Sequence, residues 1–234
     1  MEYEQQGGIL HIPDGYLSPQ TCVAMYAVSI PTLIIATKKV SRRLNSKTIP
    51  LLGILSAFSF IIMMFNIPVP GGTTAHAIGG TLIAITVGVW EAVLGIAGAL
   101  LIQAVFFGDG GILAYGANLF NMAIALPFSG YLVYKLLAKR VKNKWIAAAV
   151  AGYIGINVAA FLDAVELGIQ PILFHTADGV PLYCPYPLSK TIPAMMIAHL
   201  TVAGFAEAVF TALVFVFIQK NLYLVKENHD SAIL

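Results

Sequence analysis

The chain has 234 residues, of which 59% are hydrophobic and 10% are charged, and its formal net charge at pH 7 is +2. Soluble domains carry roughly 25% charged residues, so this composition excludes an ordinary water-soluble domain and predicts an all-α, polytopic membrane protein. The two cysteines, Cys22 and Cys184, form neither a disulfide framework nor a zinc-binding pattern. We expect one membrane-embedded domain over residues 1–234, surrounded by membrane lipid and without a nucleic-acid partner.

Apolar segments recur along the chain, and each needs about 20 residues to cross ~30 Å of hydrocarbon. The segment 77–107 is the ambiguous one, because its 31 residues suit one long tilted crossing or two short ones. In the second case, a tight turn would lie at Gly88-Val89-Trp90-Glu91. The other predicted crossings are residues 17–37, 49–67, 114–137, 145–166 and 193–219.

The basic residues decide between these two topologies, because loops rich in Lys and Arg stay in the cytoplasm. If the segment 77–107 crosses twice, the loops 38–47 and 135–144 and the C-terminal tail lie on one side. That side then holds 12 of the 13 Lys and Arg residues, and only Lys190 lies elsewhere. The pattern therefore predicts a bundle of seven transmembrane helices, with the N-terminus outside and the C-terminus cytoplasmic.

Two histidines, His11 and His76, are the candidate metal ligands, and the predicted topology puts both on the outer face. His76 follows a segment in which prolines and glycines stop the preceding helix, at the start of the next apolar run. A loop carbonyl is the alternative partner of its imidazole. His11 precedes Ile12-Pro13-Asp14-Gly15, which reads as a turn. Its apolar neighbours predict that the segment 1–16 folds into the bundle, the alternative being a disordered N-terminus.

Weaker candidates lie elsewhere in the predicted helices. His199 and Glu207 are ionisable groups inside the last crossing, which makes them functional candidates. His175 lies in the outer loop 167–192. Several amides within the crossings are interpreted as interhelical hydrogen-bonding groups: Gln103, Asn118, Asn121 and Asn157.

Two catalytic patterns are absent from the sequence. No Gly-x-x-x-x-Gly-Lys-[Ser/Thr] occurs, so we expect no ATP to be bound by this chain through a P-loop. No His-Glu-x-x-His occurs either, which removes the usual zinc-protease pattern. A metal-type site without its own energy source is typical of one part of a larger machine.

Several segments resemble the NikM/CbiM family, the substrate-binding S components of energy-coupling factor (ECF) transporters for nickel and cobalt. The resemblance runs in order from residue 11 to about residue 219. It is carried by His11-Ile12-Pro13-Asp14-Gly15-Tyr16-Leu17-Ser18-Pro19, Gly71-Gly72-Thr73-Thr74-Ala75-His76-Ala77-Ile78-Gly79-Gly80, Gln103-Ala104-Val105-Phe106-Phe107-Gly108-Asp109-Gly110-Gly111, Gly116-Ala117-Asn118-Leu119-Phe120-Asn121-Met122, Ala198-His199-Leu200 and Gly204-Phe205-Ala206-Glu207-Ala208.

The resemblance implies a transport component of the prokaryotic cell membrane, not an enzyme. It would capture Ni²⁺ or Co²⁺ as the transported substrate at the outer face. Its implied partners are a transmembrane T component and two cytoplasmic ATPases, with or without a small accessory membrane subunit. The implied metal ligands are the imidazoles of His11 and His76, the main-chain nitrogen of His11 and a free terminal amine one residue earlier. Nitrogen ligands in a square plane suit Ni²⁺.

The N-terminus departs from the family pattern. Leu10 occupies the place of the terminal residue, but Met1 to Ile9 precede it, so residues 1–10 form an atypical extension. Three interpretations stay open. Processing could make Leu10 the terminal amine, the extension could belong to an altered start that weakens the site, or other groups could complete the coordination.

Two other functions are compatible with the residues alone. One is an intramembrane metalloenzyme with zinc held by His76, His199 and Glu207. The other is a passive channel for small solutes, in which the histidines have only structural roles.

Overall fold

The computed structural model describes residues 11–42, 48–69 and 73–231, and in this part of the chain it is a bundle of helices with one short hairpin. Pro31 lies inside the first helix. The helices are α1 (Pro19–Ser41), α2 (Thr48–Met63), α3 (Gly80–Thr86), α4 (Val89–Ile102), α5 (Tyr115–Asn118), α6 (Leu126–Leu137), α7 (Lys144–Gly168), α8 (Gln170–Leu173), α9 (Leu188–Ala198) and α10 (Gly204–Ser231).

Three π-helical segments continue these helices: Gln103–Phe107 after α4, Leu119–Ala125 between α5 and α6, and His199–Ala203 between α9 and α10. Wider turns of this kind occur mostly as single-turn bulges inside α-helices. The continuous units are therefore longer than the individual α-helices.

Five continuous helical units in the described ranges are long and apolar enough to cross a membrane. The helix α2 is apolar too, but it has only 16 residues. The other predicted crossing corresponds to α3, whose seven residues span only about 10 Å. The five units of membrane length are Pro19–Ser41, Val89–Phe107, Tyr115–Leu137, Lys144–Leu173 and Leu188–Asn221.

The helix α3 ends at the place where the sequence predicted a break in the segment 77–107. Gly88, which separates α3 from α4, has a φ of +150°. Glu91 lies in the first turn of α4 and is buried, and a side chain at Gly88 would collide with its carboxylate. Glycine is therefore required at this turn.

The start of α1 shows how the local sequence fixes a helix end. Ser18 is the N-cap, and its hydroxyl oxygen accepts a hydrogen bond from the main-chain N–H of Thr21 at 3.1 Å. Pro19 follows at the first helical position, where its missing N–H costs nothing. The cap and the proline together fix the residue at which α1 begins.

A two-stranded antiparallel hairpin connects α2 to α3. Its strands are β1 (Ile67–Val69) and β2 (Thr73–Ala75), with Ile67 paired with Ala75. This hairpin is the exception to the all-α prediction. The glycine pair at 71–72 lies outside the described residues.

The buried apolar residues form two clusters. The larger one fills the bundle around α3, α4, α6 and α7. The smaller one joins the segment before α1 to α5 and to the loop before α9, through Ile12, Leu17, Cys22, Ala117 and Cys184. Both cysteines are free thiols, as the sequence suggested. Large apolar side chains such as Phe106, Leu213 and Phe217 cover the outside of the bundle, as a lipid-facing surface requires.

Candidate metal centre

The segment that carries His11 is fixed by the side chain of Asn118. The main-chain N–H of Ile12 donates to Asn118 Oδ1 at 2.8 Å, and Asn118 Nδ2 donates to the carbonyl of Ile12 at 3.1 Å. The N–H of Gly111 also donates to that carbonyl, at 2.9 Å. Ile12 is fully buried. Three hydrogen bonds at one buried residue determine where His11, its neighbour, lies.

Asp14 connects the same segment to the loop before α5. Its carboxylate accepts hydrogen bonds from the main-chain N–H groups of Ile112 at 3.0 Å and Ala114 at 2.9 Å. Gly15 has a φ of +94°, in agreement with the turn predicted at this position. The carboxylate therefore orders a second loop, 109–114, beside His11.

The loop 76–79 carries the other histidine from β2 into α3. Gly79 has a φ of +79°, which favours glycine, and it lies against the ring of Phe210. The carboxylate of Glu207 accepts from the main-chain N–H of Ile78 at 2.7 Å and from that of Gly79 at 3.0 Å. The last helix thus holds the loop 76–79 by its main chain.

These two arrangements bring His11 and His76 together. Their ring centroids are 5.0 Å apart and the ring planes are inclined at 71°. Each residue is only 2% exposed. One ion can contact both rings at this separation, since metal–nitrogen bonds are about 2 Å long.

Both imidazoles have an acceptor beside Nδ1. His11 Nδ1 is 3.5 Å from Asp109 Oδ1, and His76 Nδ1 is 3.2 Å from the carbonyl oxygen of Ala77. An acceptor at this position favours the proton on Nδ1 and leaves the lone pair on Nε2. The Nε2 atom of His11 is buried and has no hydrogen-bond partner. A buried imidazole nitrogen without a partner, beside a second imidazole, marks this pair as a candidate metal centre.

Burial keeps both imidazoles neutral. It lowers the pKa of His11 from 6.5 to about 4, against a smaller opposing effect of the hydrogen bond with the Asp109 main chain. It lowers the pKa of His76 to about 3, and the neighbouring His11 adds to this effect. Burial also raises the pKa of Asp109. Neutral imidazole is the form that binds metal ions.

The remaining candidates lie away from this pair or have other partners. His199 is buried, and its Nδ1 donates to the carbonyl of Met195 at 2.8 Å, in its own helix. His175 is exposed in the loop before α9. Leu10 and residues 1–9 lie outside the described residues. Among the residues that the structure describes, no three His, Cys, Asp or Glu side chains form a group that could hold a metal ion.

The interpretation of the four amides is only partly right. Asn121 does join two helices, donating to Glu166 Oε2 at 3.0 Å. Asn157 instead donates to Tyr153 within α7, at 2.8 Å. Asn118 holds the N-terminal segment, not a helix. Gln103 contacts the sulfur of Met64 at 3.8 Å.

Sequence reasoning missed the roles of Asn118 and Asp109. The available signal for Asp109 was its position in Gly108-Asp109-Gly110-Gly111, directly after the helical unit Val89–Phe107. Asn118 gave no comparable signal, because its partner Ile12 is 106 residues away.

The fold and the buried imidazole pair define a helical membrane protein with a candidate metal centre near one end of the bundle. Residues 11–222 match the family described as "CbiM: Cobalt uptake substrate-specific transmembrane region". The chain belongs to this CbiM family, which is a family of metal transport proteins and not of enzymes.

Known relatives agree with this assignment. The chain is 53% identical over 220 residues to the probable fused nickel transport protein LarMN of Lactiplantibacillus plantarum, covering 92% of this chain and 67% of that protein. It is 50% identical over 216 residues to the fused nickel transport protein NikMN of Rhodobacter capsulatus, covering 91% and 62%. The chain therefore spans about two thirds of the length of these fused proteins.

A solved structure has the same fold. The crystal structure of a truncated transition metal transporter superposes with a TM-score of 0.87 at 57% sequence identity. The match covers 90% of this chain and 99% of that one.

Proposed function

We propose that this protein is the substrate-binding S component of an ECF-type transporter, which captures Ni²⁺ or Co²⁺ for ATP-driven uptake. The observation that carries the proposal is the buried pair of His11 and His76, whose ring centroids are 5.0 Å apart. Membership of the CbiM family supports the transport role. The nickel transport proteins among its relatives support the choice of metals.

The proposed ligands are the imidazoles of His11 and His76 and the main-chain nitrogen of His11. Because the main-chain nitrogen and the imidazole of one residue reach the same ion only through Nδ1, His11 would bind through Nδ1 and lose the proton that lies beside Asp109 in the metal-free protein. If the chain is processed before Leu10, the amine of that residue becomes a fourth nitrogen ligand. Only two side chains are needed in such a set, since the remaining ligands come from the main chain. A nitrogen set of this kind suits Ni²⁺ and excludes hard ions such as Mg²⁺, which prefer oxygen ligands.

We further propose a single metal-binding domain over residues 1–234 with seven crossings, in which α2 and α3 supply the two shorter ones. The N-terminus would lie outside and the C-terminus in the cytoplasm of a prokaryotic cell, because this arrangement keeps the basic loops inside. The metal centre would then face the outside, where the ion is captured.

ATP hydrolysis is assigned to partners: a transmembrane T component and two cytoplasmic ATPases, with or without a small accessory membrane subunit. The fused relatives support assembly from several transport parts, since their names describe fused nickel transport proteins that are longer than this chain.

Calorimetry with Ni²⁺ and Co²⁺ tests the proposal. The purified chain is compared with a shortened version that begins with Met directly before His11, and each is also prepared with His76→Ala. We expect tight binding by the shortened version and its loss in His76→Ala. Binding that survives both His11→Ala and His76→Ala would reject the assigned site. Absence of binding in every version would reject metal capture by this protein.

The metalloenzyme alternative lacks structural support, because His76, His199 and Glu207 do not form a group that could hold a metal ion among the described residues. Both oxygens of the Glu207 carboxylate instead accept main-chain hydrogen bonds. The channel alternative is addressed by flux through liposomes that contain this chain alone. A flux of small solutes that does not respond to His76→Ala would favour it over metal capture.

A further inference from the structure

One peptide group lies between Glu207 and the imidazole of His76. The N–H of Ile78 donates to Glu207 Oε2 at 2.7 Å, and the carbonyl oxygen of Ala77 is 3.2 Å from His76 Nδ1. This N–H and this carbonyl belong to the same planar peptide unit. Because a carbonyl only accepts, the imidazole donates from Nδ1. The carboxylate is therefore connected to the imidazole through the Ala77–Ile78 peptide.

The peptide is held from more than one side. Glu207 is fully buried and also accepts the N–H of Gly79, at 3.0 Å. The hydroxyl of Ser59, on α2, donates to the carbonyl of Ile78. Phe210, one turn along from Glu207, lies against Gly79. The last helix and α2 thus fix the Ile78–Gly79 end of this short loop.

A carboxylate at this place does more than hold a loop. Hydrogen bonds in a chain polarise one another, so an N–H that donates to a carboxylate makes the carbonyl of the same peptide a stronger acceptor. The carbonyl of Ala77 then holds the proton of His76 more firmly on Nδ1. Metal-binding histidines usually donate their second N–H to a carboxylate or a carbonyl. Here the Ala77 carbonyl accepts the N–H of His76, and the Glu207 carboxylate strengthens that carbonyl as an acceptor.

We propose that Glu207 is the positioning residue of the metal site, which fixes the tautomer and the direction of the His76 imidazole through the Ala77–Ile78 peptide. This inference rests on the proposed function, in which His76 binds Ni²⁺ or Co²⁺. Asp109 has a different relation to the other imidazole, because it lies 3.5 Å from Nδ1 of His11 without an intervening peptide.

The substitution Glu207→Gln tests this role, because the amide replaces one acceptor oxygen by an NH₂ group that faces main-chain donors. Glu166→Gln is the matched control. Glu166 is also a buried glutamate, on the neighbouring helix α7, but its carboxylate accepts from Asn121 at 3.0 Å and not from the loop 76–79. A general cost of removing a buried carboxylate is expected in both variants.

Three quantities separate positioning from general stabilisation. The first is the hydrogen exchange of the Ile78 and Gly79 amides, measured on the full chain without metal. The second and third are the Ni²⁺ affinity and the d–d absorption of bound Ni²⁺, measured on the form that binds Ni²⁺ in the calorimetry above. We expect Glu207→Gln to speed the exchange at least tenfold, to weaken Ni²⁺ binding about 10- to 100-fold and to shift the d–d band. Glu166→Gln should leave all three unchanged.

Glu207→Asp is the second variant if Glu207→Gln does not fold. It keeps the charge but withdraws the carboxylate by one methylene, so exchange should quicken and the d–d band should shift. A wild-type spectrum and wild-type exchange in a folded variant, even with a lower melting temperature, would overturn the inference. Unchanged Ni²⁺ binding in His76→Ala would instead reject the proposed function. Lost binding in His76→Ala with a wild-type Glu207→Gln would reject only the role of Glu207.

Discussion

Asn118 forms two hydrogen bonds with the main chain of Ile12, one through each end of its side-chain amide, at 2.8 and 3.1 Å. The pairing resembles a rung of a β-ladder, except that a side chain on α5 replaces one of the strands. It supplies an extended segment with the partners that its buried peptide groups need. The position of His11 therefore depends on Asn118, which acts on the main chain of the neighbouring Ile12 and not on the His11 imidazole.

Replacing Asn118 should damage the metal centre without touching a ligand. Asn118→Ala leaves the Ile12 N–H without a partner in a buried place, at a cost of about 1–3 kcal/mol. If the segment 11–14 shifts to relieve this cost, Ni²⁺ affinity should fall about 10- to 100-fold in calorimetry. Asn157→Ala is the control, because Asn157 bonds only within α7. Equal affinities in the two variants would contradict a positioning role of Asn118.

Two glycines should respond to the same substitution in opposite ways. A Cβ at Gly111 would collide with the carboxylate and the main chain of Asp14, so Gly111→Ala should lower the melting temperature and weaken Ni²⁺ binding. Gly98 lies in α4 and has open space around it. Gly98→Ala should be neutral or slightly stabilising, since Ala is favoured over Gly in helices by about 0.5–1 kcal/mol. Thermal unfolding in detergent measures both, and a stable Gly111→Ala would disprove the close contact.

Acid should destabilise the metal-free protein through the two imidazoles. Their pKa values fall from 6.5 to about 4 for His11 and about 3 for His76. The unfolded state therefore binds more protons between about pH 3 and pH 6.5, and folding stability decreases as the pH falls through this range. We expect the melting temperature to drop between pH 6.5 and pH 4. The drop should be smaller in His76→Ala, and an identical pH profile in that variant would contradict the buried neutral state.

Bound Ni²⁺ should raise the melting temperature of the protein, and removing the metal should lower it again. A ligand that binds only the folded state stabilises it by RT ln(1 + [L]/Kd), which is about 2.7 kcal/mol at 100 times Kd. Ni²⁺ should accordingly raise the melting temperature of the form that binds it, and EDTA should reverse the increase. His11→Ala and His76→Ala should abolish the response. Stabilisation by Ni²⁺ that persists in both variants would point to a site elsewhere in the protein.

Local patterns were sufficient for the gross architecture. Apolar length predicted four of the five long helical units, and the charge distribution predicted the break at Gly88, after which the fifth unit, Val89–Phe107, begins. The proximity of His11 and His76 followed from a topology in which both lie at the same face. These predictions depend on the length of apolar runs and on the distribution of Lys and Arg along the chain, and both signals are visible in one sequence.

Long-range polar pairing was not accessible in this way. Glu207 was a candidate only because an ionisable group inside a membrane is costly. Its partners, Ile78 and Gly79, are 129 and 128 residues away and use main-chain N–H groups, which every residue except proline has. No pattern in the sequence distinguishes these two N–H groups from any others. The hairpin was missed for a similar reason, since strands of three residues give too short an alternation to detect.

The short helix α3 has a consequence for the order of events during metal release. Residues 80–84 are all buried, so α3 is enclosed by the neighbouring helices. His76 lies four residues before this helix, whereas His11 belongs to a segment outside the helices that is held by hydrogen bonds and by the buried side chains of Ile12 and Leu17. When the two imidazoles separate, we expect the segment before α1 to move while α3 stays in place. His11 would then leave the ion before His76 does.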